Sequence, residues 1–375
     1  MLVIKHSGWA LLALALLALL TGCGEQRVLE RLGFIQVVGY DPAPGDHLKV
    51  SFFLPKFSGE FRTTRGEFLS VIARSSKEAK LILGRRTNWE LSSGQLRNAL
   101  LAESLAQQGI WGHIDTLIRD PTISPRVKLS VVEGNTFDLL SKKYEQHPST
   151  GVYVDHLLEE EIKERAIPRV SLFEFERDYL DDGIDPVAPV LKESGANLEV
   201  TGIGLFHGDK YMGKVKASEM PIFSLLYKNE KGLDLFLDLD KGEGDGGGGQ
   251  SHVLLDSVRS SRKIRVVRPS TGPFAVQIRM NVTSSISEYQ GDLKIYDDEQ
   301  RRQLEKQIAD QISAKAEAIV SFMQRKKADS LGLGKYVRNS MSYRDWRRLD
   351  WAETYPEIKI NCLVKFTMTD YGRFR

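Results

Sequence analysis

Ala10-Leu11-Leu12-Ala13-Leu14-Ala15-Leu16-Leu17-Ala18-Leu19-Leu20 is the longest purely apolar run in the chain, and it leads directly into Thr21-Gly22-Cys23. A helix that crosses the hydrocarbon core needs about 20 apolar residues, so this run is short for a span. Lys5 and His6 precede it, and charge followed by a short apolar core is the pattern of a secretory signal. Leu20-Thr21-Gly22-Cys23 has the form of a lipobox, an aliphatic and two small residues before a cysteine. The thiol is required because lipid is attached through a thioether, and small neighbours let a peptidase reach the backbone. The expectation is therefore a signal peptide over 1–22, recognition through Leu20, Thr21 and Gly22, and diacylglycerol on Cys23. Everything after Cys23 must then fold as packed domains, because no second apolar run is long enough to span.

The remaining chain has the composition of such domains. Of 375 residues, 41% are hydrophobic and 27% charged, close to soluble globular averages, which argues against long disorder or a fibrous repeat. Lys and Arg number 52 against 50 Asp and Glu, so no global field marks a nucleic-acid binder. Cys23 and Cys362 are the two cysteines, too few for a disulfide scaffold. At roughly 100 to 200 residues per domain the length suggests two or three units. The breaker-rich and acidic stretch Asp181-Asp182-Gly183-Ile184-Asp185-Pro186 reads as a connection near a boundary. The division expected is an N-terminal α/β region over 23–195, with space for two domains, and a C-terminal α/β domain over 196–375.

Local patterns predict both helices and hairpins. Residues 33–40 and 47–54 form a candidate hairpin around Pro42 to Asp46, and 198–206 with 211–215 another. Apolar spacing predicts helices over 68–79, 92–108, 135–144 and 155–165, with Glu159-Glu160-Glu161 as a solvated face, and a strand over 127–132. Two strand-like segments, 233–239 and 252–255, flank a glycine-rich loop at 242–249. Val276, Ile278, Met280 and Val282 alternate with polar residues, as do Ile358, Ile360, Cys362, Val364, Phe366 and Met368, which places Cys362 in a core. Between them Leu304, Ile308, Ile312, Ala316, Ile319 and Met323 recur at helical spacing after an Asp297/Gln300 capping signal. The fold class expected is α+β, multi-domain with two or three units, with mixed and largely antiparallel sheets flanked by helices.

The chain carries no nucleophile elbow, zinc-binding histidine pair, Cys-x-x-Cys or phosphate loop. Gly202-Ile203-Gly204 has His207 where a dinucleotide fingerprint needs its third glycine, so the glycines read as strand residues. Asp238, Asp240 and Asp245 lack the terminal bidentate Glu of a calcium loop. The histidines are scattered, with lone pairs at His156/Glu160 and His252/Asp256. Arg259, Arg262, Lys263, Arg265 and Arg268 form a basic run, read as a solvated strand face with contact to anionic lipid as the alternative. No catalytic residue, metal ligand or cofactor site is expected.

Taken in order, the motifs resemble the Ger(x)C family, the C-subunit lipoproteins of bacterial spore nutrient germinant receptors. The resemblance rests on Gly22-Cys23 with Arg27-Val28-Leu29, on Ala102-Glu103-Ser104-Leu105-Ala106-Gln107-Gln108-Gly109-Ile110, and on Leu117-Ile118-Arg119-Asp120. It continues through Glu288-Tyr289-Gln290-Gly291-Asp292-Leu293, Asp329-Ser330-Leu331-Gly332-Leu333-Gly334, Trp346-Arg347-Arg348-Leu349-Asp350-Trp351 and Tyr355-Pro356. Where the family commonly has Trp-Asp after the lipid cysteine, this chain has Gly24-Glu25. The resemblance implies a non-catalytic lipoprotein of three α/β domains on the outer face of the spore inner membrane, with A-type and B-type integral-membrane subunits as partners. The alternative is an extracytoplasmic lipoprotein that binds a solute or acts on the cell wall.

Overall fold

Two hydrophobic patterns produce two different sheets. The computed structural model describes residues 31–56, 65–147, 149–239, 251–267 and 274–370. Leu20, Thr21, Gly22, Cys23 and the loop at 242–249 lie outside the described residues.

The first part of the chain runs β1 (Leu32–Phe34), β2 (Val37–Ala43), β3 (His47–Lys56), β4 (Arg65–Ala73), α1 (Ser76–Gly84), β5 (Glu90–Ser92) and β6 (Asn98–Ala102). It continues with α2 (Glu103–Ala106), α3 (Trp111–Ile118), β7 (Lys128–Glu133), α4 (Thr136–Ser141), α5 (Thr150–Lys163), α6 (Leu172–Leu180), β8 (Val187–Ser194), β9 (Asn197–His207) and β10 (Lys210–Lys216). These strands build an eight-stranded sheet in the order β10-β9-β8-β7-β6-β2-β3-β4, while β1 and β5 pair separately. Its centre, β2-β6-β7-β8, is parallel, and both flanks are antiparallel. Helical crossovers cover both faces of a parallel centre. Accordingly all five residues of β6 are buried, as are the first five of β7 and of β8.

After a single 3-10 turn come α7 (Met220–Tyr227), β11 (Lys231–Leu239), β12 (Ser251–Val267), β13 (Ala275–Gln290), α8 (Asp298–Arg325), α9 (Leu333–Asn339), α10 (Tyr343–Arg348), α11 (Trp351–Thr354) and β14 (Lys359–Asp370). Here the sheet order is β11-β12-β13-β14, with β14 parallel to β13. The inward residues Val276, Ile278, Met280 and Val282 are fully buried, and α8 presents Leu304, Ile308, Ile312, Ala316, Ile319 and Met323 to the core. Asp297 caps α8 by accepting from the Glu299 and Gln300 N–H groups, while the Gln300 carboxamide accepts from the Lys294 N–H at 2.8 Å. The outer edge of β14 is also occupied by α8. Glu317 accepts from the Cys362 N–H, Glu305 from the Met368 N–H, and Ser313 donates to the Cys362 carbonyl. An edge strand left with free N–H groups would template pairing with another chain, and these side chains block that.

Mixed sheets flanked by helices are thus what the sequence suggested, but two expected helices are in large part strands, with only Ser76 to Ala79 and Glu103–Ala106 helical. The apolar residues of 68–79 recur at helical spacing, yet residues up to Ala73 form β4, registered on β3 from Leu48↔Ala73 to Lys56↔Arg65. Residues 92–108 are rich in Ala and Leu, good helix formers, but 98–102 are the central strand β6; pairing on both sides overrides propensity. A strand buried on both faces has no alternation to reveal it. The division expected at 195/196 falls on the β8–β9 hairpin, whose register closes at Ser194↔Asn197. The larger sheet therefore includes residues on both sides of that point, and the second sheet begins after Lys216.

Candidate functional site

The best-built polar cluster joins the two sheets. At the end of α8, Lys327 takes a left-handed φ of 54°, and the chain turns into Ala328, Asp329 and Ser330, all buried. Asp329 Oδ1 accepts from the Leu333 N–H at 2.9 Å, while Oδ2 accepts from the Gly334 N–H at 2.7 Å and from Trp351 Nε1 at 3.1 Å. One carboxylate thus holds both the start of α9 and the indole of α11. From the larger sheet, the connection between α6 and β8 meets this turn. Asp185 Oδ2 accepts from the Asp329 N–H at 2.8 Å, and the Asp185 N–H donates back to the Asp329 carbonyl at 3.0 Å. Asp185 Oδ1 accepts from the Gly208 N–H at 2.7 Å, which ties in the β9–β10 turn.

Backbones approach so closely here that side chains are excluded. A Cβ on Gly183 would lie 2.7 Å from the Lys335 nitrogen, and one on Gly334 would lie 2.8 Å from the Gly183 Cα. The Lys335 N–H donates to the Gly183 carbonyl at 3.1 Å. Around this contact, Arg338 pairs with Asp181 at 2.8 Å and with Asp182, and Trp346 Nε1 donates to Asp182 at 2.8 Å. The acidic connection is therefore gripped by α9 and α10 as well as by Asp329.

Electrostatics follow from burial. Desolvation pushes the Asp329 carboxyl up to about 8, with the neighbouring Asp185 adding to the rise against three N–H donors that favour the anion. Asp185 in turn raises His207, whose Nδ1 lies 3.8 Å from Oδ2, a charge contact beyond hydrogen-bond length. Burial also holds the Tyr355 phenol well above its usual value. These groups line a cleft of about 250 Å³ with Tyr179 and Trp351. His207 Nδ1 and the Tyr355 hydroxyl have no protein hydrogen-bond partner among the described residues. The cleft has room for several waters at about 30 Å³ each.

Other buried ionisable groups are also held by structural partners. Asp41 accepts from the Thr136 and Phe137 N–H groups and from the Thr136 hydroxyl, which caps α4; burial nonetheless raises its pKa. Asp155 meets Lys128 at 2.6 Å, Arg97 at 3.0 Å and Asn98 at 3.1 Å; burial pushes its carboxyl up, but Lys128 and Arg97 hold it below the usual range. Lys128 also binds Glu159 at 2.7 Å, so one residue of the expected solvated face on α5 helps to fix a buried lysine, while Glu160 stays exposed.

The sequence-expected features scatter. No group of three or more His, Cys, Asp or Glu is placed to hold a metal among the described residues. His252 Nε2 meets Glu288 at 3.3 Å, not Asp256, and Gly202 and Gly204 lie inside β9. Cys362 is 1% exposed, and burial pushes its thiol up to about 12. The Asp185–Asp329 clasp carries no local sequence signature of its own. Its two halves are visible only as separate pieces, the acidic breaker stretch and the Asp329 to Gly334 motif.

Comparison with known proteins accounts for nearly all of the chain. Residues 25–193 match a family described as spore germination protein N-terminal domain, and residues 201–372 one described as spore germination B3/GerAC like, C-terminal. The spore germination protein GerQC of Bacillus cereus is 24% identical over 96% of this chain and 98% of its own length. The putative spore germination protein YfkR of Bacillus subtilis (strain 168) is 22% identical over 96% of each chain. The crystal structure of the GerBC protein superposes with a TM-score of 0.57, at 17% identity, over 92% of this chain and all of that one, which shows a shared fold. With both domain matches in order, the chain belongs to the Ger(x)C family of spore germination proteins.

Proposed function

We propose that the protein is a lipid-anchored, non-catalytic subunit of a spore germinant receptor. In this reading Cys23 carries the lipid after cleavage behind Leu20, Thr21 and Gly22. The folded part then sits on the outer face of the spore inner membrane and binds A-type and B-type integral-membrane subunits. The observation that carries the reading is the ordered pair of family matches from residue 25 to residue 372. Physical support comes from the clasp, where two buried aspartates accept backbone N–H groups and thereby join two sheets. Carboxylates held in this way set geometry, and a subunit that works by docking needs fixed geometry. Eight residues lie between Cys23 and the start of β1 at Leu32, so these nine steps of chain span about 32 Å at most. Two acyl chains make such attachment stable where one is reversible.

The test is Cys23→Ala in the native spore. The expected result is that the protein leaves the inner-membrane fraction and the response to nutrient falls. Retention in the washed membrane at the parental level contradicts the lipid as anchor, and an unchanged response after release contradicts the need for tethering.

A further inference from the structure

The smaller sheet has one face covered by α8 and one face left open; Asp234, Asp238 and Glu288 stand at one end of the open face, and the other end is basic. Arg259, Lys263 and Arg265 of β12, Arg279 of β13, and Lys359 and Lys365 of β14 all occupy outward, exposed positions. Register brings them together. Lys263 stands directly opposite Arg279, Arg265 opposite Gln277, Lys359 opposite Ala275 and Lys365 opposite Asn281. Positions 259–267, 275–283 and 359–369 contain no Asp or Glu at all. No carboxylate among the described residues forms an ion pair with any of the six. Two exposed apolar residues share this basic end of the face, Val267 and Leu363, the latter opposite Arg279.

Such an array is costly on its own account. Like charges directly opposite on neighbouring strands repel, by amounts comparable to the gain from an opposite pair. The whole chain is nearly neutral, with a formal charge of +2, so these six cations are a local concentration and do not reflect a basic protein. We propose that this basic end of the open face lies on an anionic phospholipid surface. Three adjacent strands present the cations in a shallow array. Lys and Arg stems can lie along the sheet while their charged ends reach phosphate oxygens. Exposed Val267 and Leu363 amid the cations match the mixture of basic and apolar groups that binds membrane interfaces. The surface deepens the proposed tethering, since lipid at Cys23 would keep it near headgroups, but its chemistry is independent of the lipid.

The experiment therefore uses the chain from Gly24 onward, which lacks Cys23 and retains every strand of both sheets. It is sedimented with vesicles of phosphatidylcholine alone and with vesicles that also contain phosphatidylglycerol. Binding is expected to the anionic vesicles only, and to weaken as salt is raised. Lys263→Glu with Lys365→Glu places opposite charges beside Arg279 and should lower partitioning by about 25-fold or more, from about fivefold per basic side chain removed. Arg85→Glu with Arg86→Glu, exposed residues after α1, changes net charge equally and should leave partitioning within about twofold. Both variants are checked for parental circular dichroism and unfolding midpoint. Equal losses in the two double variants, no preference for phosphatidylglycerol, or binding to polyglutamate as tight as to anionic vesicles would each overturn the proposal. Failure of the native Cys23→Ala experiment leaves this result standing, so the two readings are separable.

Discussion

The eight-stranded sheet and the four-stranded sheet are built from the same residue types but bury them differently. In the larger sheet, β6, β7 and β8 are covered on both faces, and nearly every residue is inside. In the smaller one, β11, β13 and β14 alternate between a face under α8 and a face open to solvent. The difference separates two tasks. The larger sheet has little free surface at its centre and serves as framework, whereas the smaller one exposes a long face on which charge can be arranged. Asp329 and Asp185 bind the two together.

Core truncation should separate the two sheets most sharply. Leu100→Ala, at the centre of β6 and fully buried, should lower stability by about 2 to 5 kcal/mol in urea unfolding. A smaller loss, about 1 to 3 kcal/mol, is expected from Gly183→Ala, because a Cβ there must displace the Lys335 backbone and loosen the clasp. Calorimetry that shows two transitions in this variant and one in the parent would sharpen the case that the clasp couples the sheets. The pH dependence should be more modest. Asp329 ionises near pH 8 when folded and near 4 when unfolded, so the native state holds the extra proton and stability falls as pH rises across that interval. His207, also raised, acts in the same direction, its contribution being present below about 6.5 and lost as pH rises through its higher folded value. Asp329→Asn should flatten this part of the unfolding-midpoint profile, and a profile identical to the parent would contradict the assignment. Smallest of all, Leu363→Ala on the open face should stay within about 0.5 kcal/mol. Its neighbour Cys362, facing the other way, should not react with a bulky thiol reagent until the protein unfolds.

The contrast between the sheets also explains what could be read in advance. β13, β14 and α8 were legible because one buried face imposes a period of two on a strand and 3.6 on a helix. β6 was not, because burial on both faces removes that period and leaves Asn98-Ala99-Leu100-Leu101-Ala102, a sequence equally at home in a helix. β4 misled for a different reason: Phe68, Leu69, Val71 and Ile72 happen to fall at helical intervals on an edge strand. The clasp required long-range information, since Asp185 and Asp329 are 144 residues apart and meet only through the fold. The basic run of β12 was visible in the sequence, but Arg279, Lys359 and Lys365 joined it only through strand register. Its inward member, Arg262, donates to the Leu226 carbonyl and does not belong to the face.

The most direct test of the functional account is recovery of the native protein from spore inner membranes in mild detergent, with mass spectrometry of everything that accompanies it and of the residue-23 peptide. The account predicts a diacylated Cys23 together with a polytopic B-type subunit and an A-type subunit. Recovery of the protein alone, under conditions that keep other inner-membrane complexes intact, would contradict it.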